Sequence, residues 1–339
     1  MADLIPVPDD FEACVQHAVD QNDKAQEVVA RAIGRGLRNV FLVGCGGSHF
    51  GTYPAFDVLD RYATAFETQR ITSAELTSRV PARLGPNSLV VTASHSGNTP
   101  ETVAAAEFAK ARGATVVGIS RVGENGLSRV SDVHLDYPDT ITITEPKLVH
   151  NEQLAVALLQ QTGMGDAVAD LAEAIPALPG ALRVTKDEMA ETGERVADVV
   201  SDADLTYVVG AGPAYGMAKM MAWCYFEEMQ WMNAAAINGG DFFHGPLEMV
   251  LDRTPVVTLV AEDASRPLGR RVIDFVSRTS RATAAVDTAV LTLPGVSDAA
   301  RPDVSVLALM SAERRVLDHV AARRGHDTSV RRYMYKVAY

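Results

Sequence analysis

Two short apolar runs recur in this chain after the same interval, and that repetition constrains its fold more than any other feature. The run Thr206–Gly212, TYVVGAG, follows Val40–Gly46, VFLVGCG, by 166 residues (206 − 40). The triplet Val256-Val257-Thr258 follows Val90-Val91-Thr92 by the same 166 (256 − 90). Each run is rich in β-branched residues, as in a buried strand of a parallel sheet, and the first pair ends in glycines at a tight turn. One interval serving two separate strands argues for an internal duplication in which the spacing between the strands is kept. A chain of 339 residues has room for two such halves.

Helical periodicity over 10–37 places Phe11, Val15, Ala18, Ala25, Val28, Val29 and Ile33 on one face, closed by Gly34 and Gly36. A buried strand follows at Asn39–Val43, then a helix over about Ser48–Ala63, a weak strand at Arg70–Ser73 and a strong one at Leu89–Ala93. A helix over 100–112 ends at Gly113, and Ala114–Ser120 is again a strand. This alternation predicts an α/β fold of two tandem, doubly wound parallel sheets, each an αβα sandwich, with a helical segment before them and a tail after. The expected divisions are an N-terminal helical segment 1–35, a first subdomain 36–185 and a second 186–339. The join falls somewhere in 165–200, where AIPALPGALR carries two prolines and a glycine.

A net charge of −12 argues against nucleic acid, for which a basic face would be expected, and disfavours anionic membranes. No apolar run reaches the roughly 18 residues that a membrane helix needs. The start, MADLIPVPDDFE, lacks the basic and apolar regions of a signal peptide. The three cysteines, Cys14, Cys45 and Cys224, have no metal-ligand spacing. Reduced thiols and a cytoplasmic location are expected, with no cofactor and no metal.

The chemistry-bearing segment of the first half is VTASHSGNTPET, Val91–Thr102. It leaves a strand, gathers Ser94, Ser96, Thr99 and Thr102 around Gly97, and enters an alanine-rich helix near Pro100. Such a turn suits a phosphate, because the first amides of a helix have no internal partner and its dipole is positive there. A second loop, Gly44-Cys-Gly-Gly-Ser-His49, follows what should be the neighbouring strand. Its Gly46 and Ser48 add a close-approach backbone and a fifth hydroxyl. The dinucleotide fingerprint fails here, since its third glycine position is His49. In the second half, VAEDAS stands where the first has SHSGNT. Glu262 and Asp263 there would repel a phosphate, so one anion site per chain is expected.

Three features of the second half remain. Glu227 and Glu228 lie on a helix over about Tyr215–Met232 whose methionines give it an apolar face, so one glutamate should face solvent and the other turn inward. A carboxylate in apolar surroundings has a raised pKa and suits a base. His244 lies in a glycine-rich loop just before Pro246, beside Phe242 and Phe243, which read as core. The tail RRYMYKVAY reads as a terminal strand or a tail, with Lys336 placed to close over a site as a flap. Lys147, in EPKLVH, reads as a solvated lysine, or else as a partner for a substrate carboxylate.

GCGGSH, ASHSGNTPET and GGDFFHGP together resemble the double SIS (sugar isomerase) domain proteins over about residues 36–339. The chain is similar to the isomerase half of glucosamine-6-phosphate synthase, and closer in character to the fructosamine-6-phosphate deglycases. The resemblance implies that Gly46, Ser48, Ser94, Ser96 and Thr99 bind a sugar phosphate, and that Glu228, 16 residues before His244, is the enolising base. It implies that His244 opens the ring or transfers protons in the site of a neighbouring subunit. A homodimer with shared sites would follow, a larger assembly remaining open. Lys336, four residues after Arg332, matches the synthase's tail lysine. Two departures disfavour synthesis from glutamine: no glutaminase domain precedes the motifs, and Tyr225 stands where the synthase has a lysine.

The expected activity is cleavage of a phosphorylated ketosamine, a 6-phosphofructosyl amino acid, to a hexose 6-phosphate and a free amino acid, by enolisation and imine hydrolysis. The rivals are a glucosamine-6-phosphate deaminase or aldose–ketose isomerase, and a non-enzymatic phosphosugar sensor. The sensor needs an output module, for which about 35 residues before the first core strand are too few. Neither the identity of the amine nor that of the hexose is legible.

Overall fold

The computed structural model describes residues 3–138, 140, 143–334 and 336–338. The chain divides into two compact units. One comprises Pro8–Gly180 with Gly295–Ala300; the other comprises Ala181–Pro294 and the chain from Arg301, with the N-terminal segment that ends at Val7. Each holds one parallel sheet, as the duplicated strands predict.

The first sheet has five strands: β1 Asn39–Gly44, β2 Glu67–Thr72, β3 Ser88–Ala93, β4 Thr115–Arg121 and β5 Val133–Tyr137, in the order β2-β1-β3-β4-β5. The second has four: β6 Thr206–Gly210, β7 Ala234–Asn238, β8 Val256–Val260 and β9 Thr283–Asp287, in the order β7-β6-β8-β9. The two orders agree strand for strand over the four positions they share. All neighbouring strands run parallel. β1 and β3 are buried along their whole length. That is the environment VFLV and LVVT call for, because crossover helices cover both faces. Onto the first sheet pack Ala105, Ala106 and Ala109 of helix Pro100–Ala111, against Phe41, Val43 and Val90. Alanines on that face let the helix lie close to the sheet.

Several local expectations are corrected. The helix expected over 10–37 is two, Phe11–Val19 and Asn22–Gly34. The helix expected over 48–63 is also two, Gly46–Phe50 and Tyr53–Tyr62. Pro54 has no N–H to donate and sits in the opening turn of the later helix, where that lack costs nothing. Strand β2 is longer than the expected one and only partly buried, as befits a sheet edge, while Ser73 already opens a helix. The expected α-helix over 215–232 is α only over Ala214–Lys219 and widens into a π-helix at Met220–Glu228. π-turns are uncommon and gather at functional sites. β5 and the helix Pro146–Gln161 had no expectation. From Pro146 to Leu159 every residue of that helix is buried, so it shows no polar face to mark it. Beyond Gly325 the described residues contain no strand, in keeping with the tail rather than the terminal strand.

Candidate functional site

In a doubly wound sheet, ligands bind where the strand order reverses, outside the carboxyl ends of the strands. In the first sheet that point lies between β1 and β3, with Gly44 paired to Ala93. The two loops singled out in the sequence leave from there. Gly46 is left-handed at φ +49°, and a Cβ on it would meet no atom within 4 Å, so the loop opens on free space. Ser94 is buried, its hydroxyl 2.8 Å from that of Thr99 and 3.5 Å from that of Ser96. Ser96 Oγ accepts the N–H of Asn98 at 3.1 Å. Thr99 is the N-cap of helix Pro100–Ala111 but makes no capping bond; its hydroxyl is turned to Ser94. Three of the expected hydroxyls thus share one turn at a helix N-terminus. Thr102 does not join them. It is buried against the Ser73 hydroxyl at 3.0 Å and the Cys45 sulfur at 3.7 Å, and ties the two loops together from beneath.

Gly97, at φ +69°, gives the turn its curl and packs against the side chain of Asn125. Asn125 is held on every side. Its Oδ1 accepts the N–H of Ser128, its own N–H donates to Ser128 Oγ, and its Nδ2 donates to Ser120 Oγ at 3.0 Å. The N–H of Leu127 donates to Gly97 O, and that of Gly126 to Asn98 Oδ1. Ser48 lies on the neighbouring loop. Lys147, read from sequence as solvated, is only 9% exposed, and its ammonium donates to Ser48 Oγ at 3.5 Å. Burial in this unit replaces the solvated reading.

The reversal point of the second sheet, between β6 and β8, is built alike and closed. Gly212, 166 residues after Gly46, is again left-handed at φ +53°, but a Cβ there would fall 2.5 Å from Ser265 Oγ. Ser265 Oγ donates to Ala211 O, and its N–H donates to Asp263 Oδ1. Glu262, the counterpart of Ser96, is held by two bonds from Arg301, at 2.7 and 2.9 Å. The carboxylates expected to deter a phosphate form part of a packed turn.

Glu228 closes the π-helix. Its carboxylate is 21% exposed, and its Oε1 accepts both Nε and Nη2 of Arg331, at 2.9 and 2.8 Å. Burial pushes its pKa up, and the guanidinium pulls against that shift without cancelling it. Arg331 is anchored by Nη1 to the carbonyls of Thr328 and Val330. Glu227 is exposed and accepts the N–H of Ala234; partial burial raises its pKa. His244 is exposed, in a turn where its N–H donates to Asp241 O, two residues before the short helix Pro246–Met249. Phe242 is fully buried with Phe243 and Phe275 in edge-to-face contact. Glu228 precedes β7 and His244 follows it. Glu228 lies six positions before β7 begins (234 − 228) and His244 six after it ends (244 − 238). Lys336 is exposed on the tail. Among the described residues no group of three or more His, Cys, Asp or Glu side chains is placed to hold a metal.

Asn125 and Arg331 are the residues of these two regions that sequence reasoning missed. Arg331 had a readable signal, a basic start to the tail. Asn125 had none, since it lies in a segment without clear periodicity.

The SIS domain model matches residues 36–158. Over 320 residues the chain is 29% identical to the fructosamine deglycase FrlB of Bacillus subtilis (strain 168), spanning 94% of this chain and 98% of that protein. A solved structure of a proposed phosphosugar isomerase from Bacillus subtilis superposes with a TM-score of 0.88 at 29% identity, covering 96% of this chain and 99% of that one. Another proposed phosphosugar isomerase, from Salmonella typhimurium LT2, does so at 0.86 and 30% identity, covering 94% and 99%. The chain belongs to the SIS, or sugar isomerase, domain family.

Proposed function

We propose that the protein is a deglycase that cleaves a 6-phosphofructosyl amino acid to a hexose 6-phosphate and a free amino acid. The wider class, an enzyme of phosphosugars, rests on the likeness to FrlB along nearly the whole chain. The observation that carries the phosphorylated-substrate part of the reading is the pair of unlike reversal points. One opens on solvent, lined by Ser94, Ser96 and Thr99 with Ser48 alongside, and the other is filled by its own side chains. Such a crevice suits the phosphate end of a substrate.

The chemistry then needs a base at carbon and a donor at oxygen. Glu228 removes a proton from C1 while the C2 carbonyl oxygen takes one up, giving an enaminol. Returning a proton to C2 makes the C1–nitrogen bond an imine. Water adds to C1, and the amine leaves with a proton. A carboxylate whose pKa is raised by burial is a stronger base than one in water, which suits Glu228 to the first step. His244 is the proposed proton carrier of ring opening. It lies beyond the far end of β7 from Glu228, which supports its serving the site of a second copy in a homodimer. Lys336, five residues beyond the arginine that holds Glu228, is the proposed tail group that closes over the substrate.

The test is incubation of the protein with a panel of 6-phosphofructosyl amino acids, reading hexose 6-phosphate, free amino acid and ammonia separately. Equal release of hexose 6-phosphate and amino acid is expected. Ammonia from glucosamine 6-phosphate with no amino acid from any member of the panel would reassign the reaction to deamination.

A further inference from the structure

We propose that Trp231 is a positioning residue: its ring holds the start of the C-terminal tail against the end of the π-helix, and so sets Arg331 on Glu228. The inference rests on Glu228 being the base of the proposed reaction.

The helix that carries Glu228 ends in an unusual way. Met232 N–H donates to Phe226 O at 3.0 Å, and Trp231 stands in the left-handed region at φ +55°. Glycine usually fills such a place after a helix, because it has no Cβ to clash. A tryptophan there gives up stability that a glycine would keep. What it gains is the position of its ring. His326 meets that ring edge-on, with centroids 4.6 Å apart, and the guanidinium carbon of Arg332 lies 4.4 Å from its centroid. Both ends of the segment 326–332 thus rest on one side chain. Gln230, fully buried, adds to the hold by donating from Nε2 to His326 O at 3.1 Å, and Arg324 Nη2 donates to Gln230 O at 3.2 Å. Between its two ends the segment curls on itself. Ser329 N–H donates to Asp327 Oδ1, and Arg331 Nη1 to the carbonyls of Thr328 and Val330. The other edge of the Arg331 guanidinium, Nε and Nη2, is left facing Glu228 Oε1. Burial and Arg324 lower the His326 pKa, Asp327 opposes them and Arg332 adds to them, so an uncharged ring meets Trp231 at neutral pH. A cation over an indole and an edge-on ring contact together favour the docked over the released tail by about tenfold.

The test is the pH dependence of kcat/KM on the 6-phosphofructosyl amino acid that wild type cleaves fastest, with hydrogen exchange of 326–332 followed alongside. The proteins are wild type, Trp231→Gly, Trp231→Phe, Arg331→Met and the double variant Trp231→Gly/Arg331→Met. Glycine suits the left-handed backbone, so Trp231→Gly removes the ring without straining the turn. With Arg331 released, burial of Glu228 is unopposed and its acid limb should move to higher pH, as in Arg331→Met. In Trp231→Gly, kcat/KM at pH 6 should fall about threefold to tenfold more than at pH 8, and exchange over 326–332 should quicken about tenfold. The double variant should match Arg331→Met, and Trp231→Phe, which keeps an aromatic face, should return most of the shift. A tryptophan that served stability alone would leave the limb in place. Arg332→Gln removes one hold at the surface and serves, with a smaller shift in the same direction, if Trp231→Gly does not fold. A folded variant whose limb does not move would overturn the proposal, as would a shift that adds to that of Arg331→Met. If wild type cleaves no such substrate, the reading of Glu228 fails and exchange decides the hold: quickened exchange in Trp231→Gly supports it, and unchanged exchange overturns it.

Discussion

Replacing Gly97 by alanine tests the proposed phosphate turn at its tightest point. A Cβ there would lie 2.7 Å from Asn125 Nδ2 and closer still to its Oδ1 and Cγ, so one side must move. Asn125 cannot yield without loss: it is 4% exposed, forms the capping box of helix Gly126–Val130 and donates to Ser120 Oγ. Holding alanine at φ +69° costs about 1–2 kcal/mol. Loss of the cap costs about 1 kcal/mol, and an orphaned buried amide about 1–3 kcal/mol. These losses overlap, and together amount to about 3–5 kcal/mol. For a unit of this size the melting temperature should fall by roughly 10 °C, read by scanning calorimetry. Glucose 6-phosphate binding, read by titration below the transition, should weaken at least tenfold as the hydroxyls are displaced. Adding Asn125→Gly removes the obstruction, so the double variant should be no less stable than Asn125→Gly alone by more than the backbone term. A Gly97→Ala protein with wild-type melting and binding would refute the account, as would strictly additive losses in the double variant.

Three further outcomes are expected. Arg331→Met removes the group that pulls the Glu228 pKa down, leaving burial unopposed; because the base works ionised, the acid limb of kcat/KM should move to higher pH, with more activity lost at pH 6 than at pH 8. An unmoved limb would separate Arg331 from the base. Glu228→Gln and His244→Asn should each lose about 10²–10⁴-fold in turnover, and subunit exchange between them should restore about a quarter of wild-type activity if the two residues meet across a two-fold; no recovery would mean that each chain works alone. Glu313 is fully buried with no hydrogen-bond partner among the described residues, and burial raises its pKa well above 4.5. The folded state therefore holds a proton that the unfolded chain gives up above about that pH, so Glu313 costs more stability as pH rises. Glu313→Gln should raise the melting temperature more at pH 8 than at pH 5, and an equal gain at both would remove the titration from the account.

The parallel sheets and the open turn were legible because their signals are local. Leu89–Ala93 is a run that only a buried strand accommodates, and Ser94–Thr99 is a contiguous turn. The interval of 166 residues then carried the second sheet. What escaped reading depends on surroundings. Helix Pro146–Gln161 is buried on all sides and so lacks periodicity, which made Lys147 look solvated. The π-helix at Met220–Glu228 departs from the 3.6-residue period on which face assignments rest. The hold of Arg331 on Glu228 spans 103 positions, and nothing in either segment announces the other.

The ion pair between Glu262 and Arg301 has a consequence beyond deterring phosphate. The second half carries its own permanent anion at the position where, on the proposed function, the first half takes a soluble one. Its turn is complete without a ligand, while a first half that binds sugar phosphate as proposed would gain stability when occupied. Substrate scarcity would then be felt unevenly along the polypeptide, with transient opening, and exposure to proteolysis, concentrated before Gly180. If the first pocket holds the substrate's phosphate as proposed, a duplication that closed the second would couple the protein's lifetime to the abundance of that substrate.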